Sequence, residues 1–287
     1  MIERYSHMTI QIADDFDLDR IAQSGQCFRW ERIKEKSYRV LHGADCLYIE
    51  ALGNGCFRLD CDEEAYRTIW RDYFDLEQDY RAVRARIDPE ADPFLWAASE
   101  HEKGIRILRQ DSWETLISFI ISQNKNIPAI QRCIKRLTQA CGEEKRDGRG
   151  EAYFAFPGPK AVFALPEEAL ADCSLGYRGC YVHEAARAVL EKEIDLNALM
   201  DTGDEETLTA LMTLKGVGKK VANCVSLFGL HHINAFPRDV WINRILENEY
   251  PEGYPFAAYS PYNGIFQQYM FAYYRNSAAE SAKEKEA

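Results

Sequence analysis

Leu214-Lys215-Gly216-Val217-Gly218-Lys219-Lys220 runs directly into Val221-Ala222-Asn223-Cys224, and Asp239 follows nineteen residues after Lys220. A Gly-x-Gly hairpin at a helix start leaves backbone N–H groups pointing outward without intrahelical acceptors, which suits a phosphate. A lysine just inside that helix then sits beside a bound phosphate backbone. The positive helix end and the neighbouring charge of Lys219 both favour loss of a proton from Lys220, making its amine a nucleophile. Together these features point to covalent chemistry on a nucleic acid, with Gly216, Gly218 and Lys219 as candidate DNA contacts and Lys220 as the candidate catalytic residue. The plainer reading is a glycine-rich helix start followed by two solvated lysines.

Working outward, Phe236-Pro237-Arg238-Asp239-Val240-Trp241-Ile242-Asn243-Arg244-Ile245 opens a second helix. Pro237 stops what precedes it, and Asp239 stands where an N-cap is needed. Such a cap leaves one carboxylate oxygen free to face the amine and a developing positive charge on a sugar. Asp239 is either a cap alone or a cap with a catalytic share.

Composition bounds the answer. At 287 residues the chain can bury a proper core, as two domains or one large one. Nine cysteines without a C-x-x-C pair indicate neither a zinc site nor a secreted disulfide framework, so a reduced, cytoplasmic setting is expected. No signal peptide and no membrane-spanning run are expected. A net charge of −11 argues against nucleic acid, because binding is driven by neutralising phosphates. The imbalance is uneven: residues 1–100 carry 13 basic and 21 acidic side chains, whereas residues 101–200 carry 14 of each. Lys125, Arg132, Lys135 and Arg136, with the hairpin N–H groups, can meet DNA locally, with modest and salt-sensitive affinity.

From Met8 to about Cys61 the pattern is strand-like, over Met8–Ile12, Gln26–Glu31, Ser37–Leu41, Cys46–Glu50 and Cys56–Leu59, with turns at Gly43-Ala44-Asp45 and Gly53-Asn54-Gly55. An antiparallel sheet follows. Helical periodicity then predicts helices near 64–87, 112–140, 180–192, 204–213, 219–230, 239–248 and 264–275. The fold class is α+β: an N-terminal antiparallel sheet domain with helices over 1–108, then an all-helical domain over 109–287. Asp147-Gly148-Arg149-Gly150 reads as an exposed loop and Ser277–Ala287 as a frayed tail.

The hairpin, Lys220 and Asp239 resemble the helix-hairpin-helix (HhH-GPD) DNA glycosylase superfamily. The whole chain is similar to its 8-oxoguanine DNA glycosylase/AP lyase branch, bacterial type. That closer resemblance rests on Ser24-Gly25-Gln26-Cys27-Phe28-Arg29-Trp30, on Ser118 to Ile127 with its Ser122-Gln123-Asn124-Lys125-Asn126 centre, on Leu175-Gly176-Tyr177-Arg178, and on Gln267-Gln268-Tyr269-Met270-Phe271. It implies a DNA repair enzyme that flips 8-oxoguanine from the duplex. Lys220 attacks the sugar through a Schiff base with Asp239 assisting, and the abasic strand is nicked by β-elimination.

The resemblance also distributes roles, each beside a plainer reading. Gly25, otherwise a strand-entry glycine, presents its carbonyl to the N7–H that 8-oxoguanine has and guanine lacks. Cys224 and Phe271, otherwise core, sandwich the base, and Gln267, four before the aromatic, reads its Watson–Crick edge in preference to Gln268. Asn124, otherwise part of a polar helix end, fills the gap and meets the widowed base. Arg178, otherwise a surface charge, bonds that base with Tyr177 beside it as a wedge. The chain departs from eukaryotic relatives in having Ala129 where they carry a second cytosine-reading arginine, and Trp241 where they carry a phosphate-binding histidine.

No cysteine follows Cys224, so the iron–sulfur clusters of other superfamily branches are not expected. No cofactor is expected, although in relatives the hairpin binds a monovalent cation, here through carbonyls of Met212, Leu214 and Val217. The expected partner is double-stranded DNA containing 8-oxoguanine, bound by a monomer. Two rival readings are an alkylpurine glycosylase, which would lack the lysine, and a non-catalytic protein using the hairpin as a phosphate clamp.

Overall fold

Alternation of apolar and polar side chains between Ser37 and Leu59 sets the first architectural unit. The computed structural model describes the backbone of residues 7–286 and side chains of 7–276. Strands β1 (Met8–Gln11), β2 (Trp30–Lys34), β3 (Ser37–His42), β4 (Asp45–Gly53) and β5 (Cys56–Leu59) form one antiparallel sheet in the order β1-β5-β4-β3-β2. The register sets Tyr38 opposite Ile49, Val40 opposite Leu47 and Ile49 opposite Leu59, which puts the apolar set on one buried face. Helix α1 (Leu18–Gln23) and the helical stretch Glu63–Tyr73, which contains a π turn at Tyr66–Trp70, cover that face with Leu18, Ile21, Trp70 and Tyr73.

The strand expected at Gln26–Glu31 begins instead at Trp30. The cause lies in Gln26, whose amide donates to Ser24 Oγ and the Arg106 carbonyl, both at 2.8 Å, and accepts the Leu108 N–H at 2.8 Å. This side chain makes the bonds a strand neighbour would have made, so Ser24–Gln26 stays a loop. Two expected long helices are broken. Near 64–87 the helix stops at Asp75, which adopts φ +50°, and resumes at Tyr80–Arg84. Residues 112–140 divide into α3 (Ser112–Ser122) and α4 (Ile127–Cys141), because Asn124 takes φ +50° and Asn126 caps a new helix at Ala129 N–H.

The helical part continues with α5 (Arg178–Leu190), α6 (Asp204–Leu211), α7 (Lys219–Phe228), α8 (Val240–Glu249) and α9 (Asn263–Glu286). Helix α2 (Pro93–His101), not anticipated from the periodicity, packs on α9. The exposed loop at 147–150 turns a small hairpin, Glu144–Arg146 against Ala152–Phe154, also not anticipated. The segment expected to fray continues α9 as helix to Glu286. Side chains of 80–107, including Val83, Leu95 and Ile105, belong to the helical core, whereas Leu108 belongs to the sheet core.

Arg106 joins the two cores. It is 1% exposed, and all five guanidinium N–H groups are used: on carbonyls of Phe74, Asp15, Asp75 and Gln78 and on Asp14 Oδ2, at 2.6 to 3.2 Å. The Tyr80 ring lies beneath it at 4.1 Å. Removing a cation from water requires such complete pairing. Arg106→Met orphans the carbonyls and should reduce unfolding free energy by about 3–5 kcal/mol, measured by urea denaturation; a loss below about 1 kcal/mol would mean that the guanidinium contributes no more than a surface pair.

Candidate active site and DNA-facing surface

The hairpin that opens α7 depends on one left-handed residue. Gly216 has φ +80°, and a Cβ there would stand 2.2 Å from the Tyr181 ring, so no other side chain fits. The turn is closed by Val217 N–H to the Leu214 carbonyl at 3.0 Å. Gly218 is the N-cap of α7, with no side-chain cap and no atom within 4 Å of where a Cβ would stand. The first N–H groups of α7 therefore face outward, as the sequence requires of a phosphate site. Lys219 and Lys220 are both exposed beside them.

One turn along α7, Asn223 fixes the partner loop. Its Nδ2 donates to the Lys219 carbonyl at 2.8 Å, and its Oδ1 accepts the Phe236 N–H at 3.2 Å. A buried amide thereby ties the first turn of α7 to the segment leading into Asp239. Asp239 caps α8, accepting the Ile242 N–H on Oδ1 at 2.8 Å, which leaves Oδ2 for other work.

These elements close on a small cavity, about 50 Å³, walled by Ser24, Gly25, Phe119, Lys220, Cys224, Phe228, Pro237, Asp239, Gln267, Gln268 and Phe271. Six residues chosen from the sequence for base excision, namely Lys220, Asp239, Gly25, Cys224, Gln267 and Phe271, thus come together from α7, the α8 cap, α9 and the Ser24–Gln26 loop. The Lys220 ammonium position lies 5.4 Å from the centre of the Phe119 ring. Burial pushes the Cys224 thiol pKa up, against an opposing pull from Lys220, so Cys224 is a protonated wall and not a nucleophile.

Gly25 has φ +82°, and a Cβ there would meet Phe271 at 3.5 Å and Arg275 at 3.6 Å, ordinary contact distances. Its backbone conformation, more than crowding, demands glycine. Arg275 was not anticipated. It lies over the Phe271 ring, 5.3 Å from its centre, and donates to the Gln23 carbonyl, so α9 holds the loop that carries Gly25. Its side chain gave no periodic signal, being one charge at the end of the helix expected over 264–275.

Asn124, Tyr177 and Arg178 form a second group. Asn124 Nδ2 donates to Tyr177 Oη at 3.2 Å, and Tyr177 is 53% exposed. Arg178 is the first residue of α5 and is buried, contrary to the plain reading of a surface charge. Its Nε and Nη2 donate to the Gln123 carbonyl and its Nη1 to the Leu175 carbonyl, while it stacks 4.3 Å from the centre of the Tyr177 ring. Gln123 Nε2 in turn donates to the Gly216 carbonyl at 3.1 Å. The Asn124 loop, the start of α5 and the hairpin are therefore braced into one surface.

Trp241 packs edge-on to Tyr274 and under Arg244, whose guanidinium is 5.4 Å from its ring. Ala129 lies in the first turn of α4, where its methyl offers no hydrogen bond. Among the described residues no group of three or more His, Cys, Asp or Glu could hold a metal ion, and no helix is long and apolar enough to cross a membrane.

Residues 9–116 match the family described as 8-oxoguanine DNA glycosylase, N-terminal domain, and residues 117–251 match the HhH-GPD superfamily of base excision DNA repair proteins. The chain is 32% identical over 261 residues to the N-glycosylase/DNA lyase of Saccharomyces cerevisiae, covering 81% of this chain and 68% of the relative. It is 28% identical over 266 residues to a probable N-glycosylase/DNA lyase of Methanothermobacter thermautotrophicus, covering 83% of each. Among solved structures, MBOgg1 with a low-affinity DNA ligand superposes with TM-score 0.90 at 35% identity, over 96% of this chain and 98% of that one. The Clostridium acetobutylicum 8-oxoguanine glycosylase/lyase, bound to double-stranded DNA with cytosine opposite 8-oxoG, gives TM-score 0.88 at 30% identity, over 97% and 98%. With its sheet domain, its hairpin, both family matches and the 32% identical yeast relative all in agreement, the chain belongs to the HhH-GPD superfamily of base excision DNA repair proteins, in the branch that carries the 8-oxoguanine DNA glycosylase N-terminal domain.

Proposed function

We propose that this chain removes 8-oxoguanine from duplex DNA and then cuts the strand at the abasic site, with residues 1–108 supplying the lesion-reading loop and 109–287 the chemistry. The observation that carries this reading is the single cavity shared by Lys220, Asp239 and the base-reading residues. The Lys220 amine forms a bond to C1′ as the bond from C1′ to the purine breaks, and the base departs with that electron pair and takes up a proton. Asp239 Oδ2 balances the positive charge that develops on the sugar. Opening of the sugar ring yields a Schiff base to Lys220. Loss of a 2′ proton then expels the 3′ phosphate. Lys220 is also what separates this reading from an alkylpurine glycosylase.

The hairpin N–H groups, with Gly216, Gly218 and Lys219, take a backbone phosphate. A monovalent cation on the carbonyls of Met212, Leu214 and Val217 would add positive charge there, and the Leu214 carbonyl retains a second lone pair beyond the one given to Val217. Tyr177 is the exposed wedge, Asn124 takes the place of the flipped nucleotide, and Arg178 reaches the widowed base by trading its bonds to Gln123. Gly25, Cys224, Phe271 and Gln267 hold the lesion. A cavity on the order of 150 Å³ is needed for a benzene-sized guest, so at about 50 Å³ the walls must part for a purine. Phe271 is half-buried, whereas the other two rings of that wall, Phe119 and Phe228, are buried.

Three results test this reading. Borohydride should trap a covalent protein–DNA adduct that disappears in Lys220→Gln and survives in Lys219→Gln; adduct loss in the second variant alone would move the nucleophile to Lys219, and activity without any adduct would make water the nucleophile. Asp239→Asn keeps an N-cap acceptor and loses the charge, so folding stability should stay within about 1 kcal/mol while excision falls by on the order of a hundredfold or more. Near-wild-type excision would leave Asp239 as a cap only.

The third concerns the opposite base. A well-placed side-chain pair to one base edge gives roughly 1–3 kcal/mol of discrimination, and the Ala129 methyl forfeits it. Single-turnover excision should differ little among the four opposite bases, and Ala129→Arg should raise the preference for cytosine by about tenfold. A strict cytosine requirement in the wild-type protein would show that Asn124 and Arg178 suffice.

A further inference from the structure

The cavity contains a second glutamine whose orientation is forced. The Pro237 carbonyl can only accept, so the Gln267 amide turned toward it must present Nε2, and that bond is 3.1 Å long. Gln267 Oε1 therefore faces the other way, toward Gln268, and Gln268 must donate its own Nε2 to it, at 3.0 Å. This relay leaves Gln268 Oε1 over. Gln268 is 3% exposed, and its Oε1 is fully buried with no hydrogen-bond partner among the described residues. Of the orphaned polar side chains in the protein interior, Gln268 is the one that lines this cavity. A buried acceptor without a donor is unfavourable to maintain and is explained when a ligand brings the donor.

We infer that Gln268 Oε1 is an acceptor for the N1–H and 2-amino donors of a guanine-type Watson–Crick edge, so that the two adjacent glutamines read the base together. The inference rests on the base-excision reading above and extends it to a residue outside the Gln267–Phe271 pair. It makes the pocket selective within oxidised purines. 8-Oxoguanine and 8-oxoadenine share O8 and N7–H, and so present the same groups to Gly25. They differ on the opposite edge, where 8-oxoguanine offers two adjacent donors and 8-oxoadenine offers a bare ring nitrogen and a C–H. Facing the second edge, Gln268 Oε1 would stay unpaired or meet a lone pair, and a site built for a hydrogen bond rejects the analogue that lacks it.

The test is single-turnover excision of both lesions, each opposite cytosine, by the wild-type protein and by Gln268→Met, which keeps length and apolar bulk while removing the acceptor together with the N–H given to Gln267. The wild type should prefer 8-oxoguanine, and the variant should lose roughly tenfold or more of that preference, through slower excision of 8-oxoguanine. Melting temperature should be nearly unchanged in Gln268→Met, because the orphaned Gln268 Oε1 is removed while Gln267 Oε1 loses its donor, whereas a purely structural role lowers it. If the variant folds poorly, the wild-type protein alone still decides: free 8-oxoguanine should raise its melting temperature more than the same concentration of free 8-oxoadenine. Equal shifts by the two bases, or a preference untouched by Gln268→Met with excision intact, overturn the role of Gln268 and leave the base-excision reading standing. Absence of any 8-oxoguanine excision by the wild type overturns both.

Discussion

A guanidinium taken fully out of water at Arg106 sets the relation between the two halves of this protein. Its five N–H groups gather carbonyls and a carboxylate from the loops around Asp14 and Asp75, and its own carbonyl accepts the Gln26 amide. Because a buried cation tolerates no missing acceptor, those loops have little freedom to move independently. Gln26 follows Gly25 directly. The same node that joins the sheet core to the helical core therefore fixes, one residue away, the backbone proposed to distinguish the damaged base. Arg275 secures the other side of that loop to α9 through the Gln23 carbonyl, so two elements distant in sequence hold one left-handed glycine between them.

The proposed DNA face resolves the conflict between a net charge of −11 and a nucleic-acid partner. Acidic side chains concentrate in residues 1–100, and the hairpin surface offers uncapped backbone N–H groups at Gly218, beside Lys219, in place of a broad basic patch. Backbone donors and a helix end do not register in a charge count. The surface is also preorganised: Gln123 bonds the Gly216 carbonyl with its side chain and Arg178 with its own carbonyl. Arg178 is accordingly committed to protein acceptors, and any base it reads has to offer as much as the carbonyl it leaves.

The sequence determined what depends on a few neighbouring residues. Gly216 must be glycine because the turn needs φ +80°, Asp239 reads as a cap because Pro237 precedes it and an amphipathic run follows, and Ser37–Leu59 alternates with the period of a half-buried sheet. Lys220 is legible because its place relative to the hairpin is fixed within one helical turn. Only the tertiary structure decided where distant partners override local pattern. Residues 112–140 are helical in composition but divide at Asn124, and the bonds that hold that break come from Gly216 and Arg178, 93 and 55 residues away from Gln123. Spacing to Phe271 separates Gln267 from Gln268 in the sequence, but only a carbonyl on Pro237, 30 residues upstream, gives the first amide its partner and leaves the buried oxygen of the second without a donor. Periodicity records which face of an element is buried; it carries no record of which donor, from another part of the chain, will stand opposite a given acceptor once that face is closed.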